Sequence, residues 1–259
     1  MTAVDDNTMN DNHRMELEVI GFDLASCLIA ETHGANRIEL CANPHEGGTT
    51  PSYGMISVAR RQTSIQLFPI IRPRGGDFLF SELEFQSMIT DIQQCEHLGC
   101  DGVVIGMLTK DGRVDIDRCA QLINHAGAME VTFHRAFDRV KDPMRSLEEI
   151  IELGCTRILT SGLRPNVDLG REMLRTLVVA AGRRITIMPG SGVRSANLLE
   201  LAKFTGASAF HSSARSSHPS SMEYINPAMD EEMVSVGIDA NEVLALRRTL
   251  DMHEKSQLL

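Results

Sequence analysis

The residues of this chain that could do chemistry fall where short apolar runs end. RIELC closes on Glu39 and Cys41, and LFPIIR closes on Arg72, with Arg74 and Asp77 following in PRGGDF. VTFHRAFD carries His134, Arg135 and Asp138, MPGSGV carries Gly190 and Gly192, and FHSS carries His211 and Ser212. Glu18 sits within the first run, LEVI. Glu39 and His134, with Asp138 close by, are candidates for acid–base catalysis. Arg72 and Arg74 present planar forks that hold a carboxylate or phosphate by paired hydrogen bonds. Glu18, Asp77, Arg135, His211 and Ser212 would complete a polar ligand site. The backbone of Gly190-Ser191-Gly192, leading into a helix from Ser195, could cradle an anion. Any one of these residues also reads as part of an interior salt bridge. Several together argue for a purpose, because an unpaired buried charge is costly. No Ser/His/Asp spacing, nucleophile elbow or HExxH signature is present.

The six cysteines divide by position. Cys27 and Cys41 are expected at one end of the fold, where two thiolates would suit a soft ion such as Cu(I). The competing reading puts Cys27 with Leu24 and Leu28 on a buried helix face. Cys100 and Cys155 read as inert spacers, and Cys95 and Cys119 as helix-borne thiols. No CxxC occurs, which argues against structural zinc.

The elements that would position these residues alternate. The apolar runs are Leu17 to Ile20, Arg37 to Leu40, Leu67 to Arg72, Gly102 to Met107, Glu130 to His134, Arg157 to Thr160, Ile185 to Met188 and Ala209 to Ser212. Most lack polar alternation, as parallel strands covered on both faces do. Amphipathic stretches separate them. Ser81 and Glu84 form a capping box, Pro143 opens a helix that Gly154 closes, and the last helix is expected over Glu242 to Met252. Eight strands alternating with eight helices predict a TIM (β/α)8 barrel. A doubly wound sheet is the alternative, but the first strand is followed by GFDLAS rather than a phosphate-binding glycine turn. Four helix-to-strand joints share one wording: HGANRIEL, LGCDGVVI, LGCTRILT and TGASAFHS. Each pairs a glycine (Gly34, Gly99, Gly154, Gly206) with a small residue, which suits a closed ring.

Residues 15–259 are therefore expected to form one domain, behind a disordered N-terminal tail over 1–14 with no secretory signal. Arg215 to Asp239 is expected to be a long irregular stretch. Its Met222, Tyr224 and Ile225 suggest a lid or an intersubunit arm with Tyr224 partly buried; the alternative is a disordered excursion. Asp plus Glu number 35 against 25 Lys plus Arg, a net charge of −10, which disfavours nucleic acid and anionic lipid surfaces. No run is apolar enough to span a membrane. The cysteines are expected to stay reduced in a cytosol.

RIELC, EGGTTPS, IIRPRGGDF, VTFHRAFD, RILTSG and FHSS, in this order, resemble the CutC family of copper homeostasis proteins. The resemblance runs from about Glu16 to His253. It implies a TIM barrel, a cytoplasmic location and a homo-oligomer, dimer or tetramer, and it places the family's proposed copper ligands on Cys27 and Cys41. Pro189 and Ser191 stand where relatives often carry another small residue. Two functions follow. One is Cu(I) binding at Cys27 and Cys41, which leaves the Arg, His and Asp residues unexplained. The other is an enzyme acting on a small anionic metabolite, phosphorylated or carboxylated, which leaves the cysteines as packing. The 14 methionines are scattered, without the clusters of soft-metal carriers.

Overall fold

A computed structural model describes residues 15–230 and 232–257. The expected tail over 1–14 lies outside the described residues. Eight βα units run in order: β1 (Glu16–Gly21), α1 (Leu24–Thr32), β2 (Arg37–Leu40), α2 (Tyr53–Gln62), β3 (Gln66–Pro69), α3 (Glu82–His97), β4 (Gly102–Ile105), α4 (Ile116–Ala126), β5 (Glu130–Phe133), α5 (Pro143–Glu152), β6 (Arg157–Thr160), α6 (Val167–Ala181), β7 (Thr186–Pro189), α7 (Ser195–Thr205) and β8 (Ala209–Ser212). A hairpin, β9 (Arg215–Pro219) and β10 (Val234–Ile238), then leads to α8 (Ala240–Gln257).

The eight parallel strands form two ladders, β3-β2-β1-β8 and β4-β5-β6-β7. An Ile70–Val104 bridge joins them on one side. On the other, β7 and β8 pack side by side without a ladder among the described residues. The fold is a TIM barrel with a seam at β7/β8.

Local sequence explains the joints. Ser81 and Glu84 form the expected capping box on α3, and Asp23, Asp115, Asp142 and Asn166 cap α1, α4, α5 and α6 through their side chains. All four repeated glycines have positive φ, from 73° to 91°, so the turn from helix to strand selects them. The small residues beside them, Ala35, Cys100, Cys155 and Ala207, are buried.

One apolar cluster fills the space between strands and helices. A smaller one, including Ile20, Phe68, Ile70 and Val104, fills the barrel interior. One end of the interior is closed by charge. Arg37, fully buried, bonds Glu16 at 2.6 Å, Glu18 at 3.2 Å and Gln66 at 3.0 Å. Arg157 forms an ion pair with Glu130 at 2.5 Å, and both guanidinium groups lie over Phe68.

Five expectations change. β3 ends at Pro69, so Arg72 belongs to the loop after it. α8 begins before Glu242 and ends beyond Met252. Leu28 faces outward, 43% exposed, instead of sharing the buried face of α1 with Cys27. The segment expected to be irregular contains an antiparallel ribbon pairing Arg215 with Ile238 through Pro219 with Val234. Tyr224, near its tip, is 71% exposed rather than partly buried.

Candidate functional site

The C-terminal ends of the strands surround a cavity of about 250 Å³. Period-two alternation selects what faces it: Ile20 from β1, Glu39 from β2, Leu159 from β6 and His211 from β8 point inward, with Phe22, Ile70, Phe78 and His134 following their strands. Arg135, Ser191, Gly192, Ser213 and Arg215 complete much of the rim.

A charged relay reaches this cavity from the barrel interior. Glu18 accepts from Arg37, and its other oxygen lies 2.8 Å from His211 Nδ1. His211 Nε2 stands 3.7 Å from Glu39 Oε2, beyond hydrogen-bond range. All three side chains are buried, and one donor atom from each falls within 4.8 Å of the others. Burial raises the Glu18 pKa, but the His211 hydrogen bond and the Arg37 charge outweigh it and hold the group near 2. Glu39 lacks such hydrogen bonds. Burial, supplemented by Glu18, lifts it to about 7 against the pull of His211. His211 is desolvated too, yet its two carboxylate neighbours raise its pKa.

His134 is the opposite case. Its Nδ1 accepts the Ala136 amide at 3.2 Å, so in the neutral ring the proton is on Nε2. Nε2 is buried without a partner. Burial, then the Arg72 charge, lowers the pKa to about 3. The ring fits because residue 106 is glycine; a Cβ there would lie 2.5 Å from it.

The arginines divide unexpectedly. Arg72 lines the cavity but donates to the carbonyls of Glu46, Gly48 and Gly76 and lies over Phe78, so it ties two loops together; its Nε is buried and unpartnered. Arg74 is paired with Asp77 and Glu84, and neither Arg74 nor Asp77 lines the cavity. Arg135 donates to Asp138 at 2.7 Å and Ser161 at 2.9 Å while lining the rim. Arg215, at the start of β9, lies over Phe22 and donates to the Pro44 carbonyl at 3.2 Å.

Asp138 is a structural acceptor away from the cavity. It takes hydrogen bonds from Thr160, Ser161 and the Leu163 amide as well as Arg135. Ser212 faces away from the interior and donates to the Val193 carbonyl. The Gly190 amide is used by Thr160, and its missing side chain makes room for Leu159, since a Cβ would lie 2.4 Å from that residue. At the start of α7, Glu242 takes the Ser195 amide and Asn197 the Arg194 amide. The Ser191 and Gly192 amides make no hydrogen bond among the described residues, so they are what the loop can offer an anion.

The cysteine pair does not fit Cu(I) well. Cys27 lies in the layer between strands and helices, and Cys41 packs inside the barrel with Ile70. Both are buried free thiols. Burial pushes Cys27 up to about 12 and Cys41 well above its ordinary value, with Glu39 adding to the second. A soft cation is held by thiolates, so it would have to displace both protons against this burial.

Arg215 is the main contributor that sequence reasoning missed. The signal was there: the inward alternation of His211 and Ser213 reaches Arg215 next. Glu18 and His211 were singled out as ligand contacts, but not as the relay behind Glu39.

Fold and site together define a TIM barrel with a small cavity at the C-terminal mouth of its strands. The CutC family model matches residues 15–216, and the chain belongs to that family. A CutC family protein of Chromobacterium violaceum is 48% identical over 243 residues, covering 91% of this chain and 98% of the relative. The crystal structure of a Streptococcus agalactiae chain, described as a candidate copper homeostasis protein CutC, matches with a TM-score of 0.74 and 32% identity over 77% of this chain and 98% of that one. Thiamine phosphate pyrophosphorylase of Pyrococcus furiosus matches with a TM-score of 0.57 at 16% identity, covering 92% of this chain and 96% of that one, a likeness of fold alone.

Proposed function

We propose that this protein is an enzyme that binds a small phosphorylated or carboxylated metabolite and acts on it by acid–base chemistry at Glu39. The observation that carries this reading is the Glu39 carboxyl group. It is 3% exposed, lines the cavity and accepts no hydrogen bond among the described residues. A proton acceptor ionising near neutrality is what general-base catalysis uses. Arg135 and Arg215, with the Ser191 and Gly192 amides, supply the anion seat in place of Arg72 and Arg74. Copper handling at Cys27 and Cys41 is the alternative, supported by the description of the Streptococcus agalactiae relative and opposed by the burial of both thiols. The free cysteines fit a reducing cytosol. The exposed Met222, Tyr224 and Ile225 of the β9–β10 arm fit contact with a second subunit.

A thermal-shift screen of phosphorylated and carboxylated metabolites tests the function. A ligand at 100 times its Kd adds about 2.7 kcal/mol and should raise Tm by roughly 5–10 °C in a chain of this size. Arg215→Ala should cut the shift by about half or more. A screen in which no anion stabilises the protein would contradict the proposal.

A further inference from the structure

We infer that the cavity catalyses enolisation of a triose- to pentose-sized phosphorylated α-hydroxycarbonyl compound, with Glu39 as the base and the Nε2–H of His134 as the donor to the carbonyl oxygen. The inference rests on the anion-site reading above and adds the reaction and the substrate class.

Three observations select this chemistry. The first is the tautomer of His134. The Ala136 amide points at Nδ1, which makes the cavity-lining imidazole a donor through Nε2. That donor is buried and unsatisfied, so it awaits an acceptor. A carbonyl oxygen is an acceptor, and becomes a better one as negative charge develops on it.

The second is that Glu39 lines the same cavity, with His211 held behind it by Glu18. His211 is a positioning residue: Glu18 fixes the ring, and the ring sets the side of the cavity on which the Glu39 carboxyl group stands. Among the described residues no lysine lines the cavity, so a Schiff base has no amine from which to form. The carbonyl must be polarised by a hydrogen bond, and His134 offers it.

The third is the division of the walls. Ile20, Phe22, Ile70 and Leu159 give an apolar lining for a carbon skeleton, while Arg135 and Arg215 stand at the rim with Ser191 and Gly192. A cavity of about 250 Å³ lies below the usual range for drug-sized ligands. One phosphate at the rim leaves room inside for a short chain.

The step balances without an oxidant or reductant. Glu39 takes the proton from the carbon beside the carbonyl, and the C–H electron pair becomes the new C=C bond. The carbonyl π pair moves to oxygen, which receives the His134 Nε2 proton. His134 regains a proton from the neighbouring hydroxyl, and Glu39 returns its proton to the former carbonyl carbon. The product is the isomeric hydroxycarbonyl compound.

Proton NMR in deuterium oxide tests this directly. Dihydroxyacetone phosphate, erythrose phosphate, ribose phosphate and ribulose phosphate would each be incubated with the full chain, and their binding followed by thermal shift. At least one should bind and lose its α-proton signal to deuterium. Glu39→Gln should slow the exchange about 1,000-fold while still binding phosphoglycolate. His134→Gln, which keeps an N–H, should slow it about 100-fold, with His134→Asn as a second variant if folding fails. Binding without exchange would overturn the inference and leave the anion site standing. Exchange that persists in Glu39→Gln would overturn it as well. Failure of all four compounds and of phosphoglycolate to bind would remove both readings.

Discussion

His211 separates two carboxylates that behave oppositely: it hydrogen-bonds Glu18 at 2.8 Å and stops 3.7 Å short of Glu39. The hydrogen-bonded carboxylate is held ionised, and the one left without a bond holds its proton to about pH 7. Glu18 also neutralises Arg37, the fully buried guanidinium that closes the other end of the barrel interior. Removing one partner of a buried pair costs about 3 kcal/mol. Glu18→Gln should therefore lower stability by about that amount in urea denaturation at pH 7. A change within error would show that Glu16 alone suffices for Arg37.

Glu39→Gln should have the opposite sign and depend on pH. The folded pKa of Glu39 is raised, so the unfolded chain ionises first, and stability is lost as pH rises from 4.5 to about 7. The neutral isostere removes that loss. The variant should match wild type near pH 4.5 and exceed it by about 3 kcal/mol at pH 8. Denaturation curves at the two pH values check this; equal differences at both would show that the shift is absent.

Gly106→Ala should damage the site without unfolding the barrel. The added methyl would lie 2.5 Å from the His134 ring, so the ring must move. Ligand affinity should fall about tenfold or more, as expected when a hydrogen-bonding group is misplaced. Calorimetry with the stabilising ligand and circular dichroism measure the two effects separately.

Cys27 and Cys41 should resist alkylation in the native protein at pH 8 and react once the chain is unfolded. Burial holds Cys27 at about 12 and Cys41 well above its ordinary value, so neither presents much thiolate. Intact-mass analysis after iodoacetamide treatment reads the result. In Cu(I) competition, the Cys27→Ser/Cys41→Ser variant should take up as much metal as wild type. Selective loss of one copper equivalent in the variant would restore the copper reading.

The barrel was legible because its signals are local. Four repeated joints with glycines at positive φ, a capping box at Ser81 and unbroken apolar strands need no tertiary knowledge. The site was legible in Glu39, Arg72, His134, Arg135, Gly192 and His211, which line the cavity, and less so in the arginine clamp. Arg72 and Arg74 resemble anion ligands in sequence, but the loop carbonyls that occupy Arg72 and the Glu84 that pairs with Arg74 become neighbours only after folding. Asp138 escaped for the same reason: its hydrogen-bond partners at Thr160, Ser161 and Leu163 come from the next βα unit. Period-two alternation past Ser212 would have found Arg215, but the Ser- and Pro-rich wording there reads as loop.

The most direct measurement is a calorimetric titration of phosphoglycolate into the wild-type protein, Arg215→Ala and Arg135→Lys. Arg135→Lys keeps a positive charge facing Asp138 while removing the fork. Each substitution should weaken binding about 10- to 100-fold, the worth of one charged hydrogen bond, whereas Arg74→Ala, outside the cavity, should bind like wild type. Equal affinity in wild type, Arg215→Ala and Arg135→Lys, or a loss confined to Arg74→Ala, would contradict an anion site at the barrel mouth.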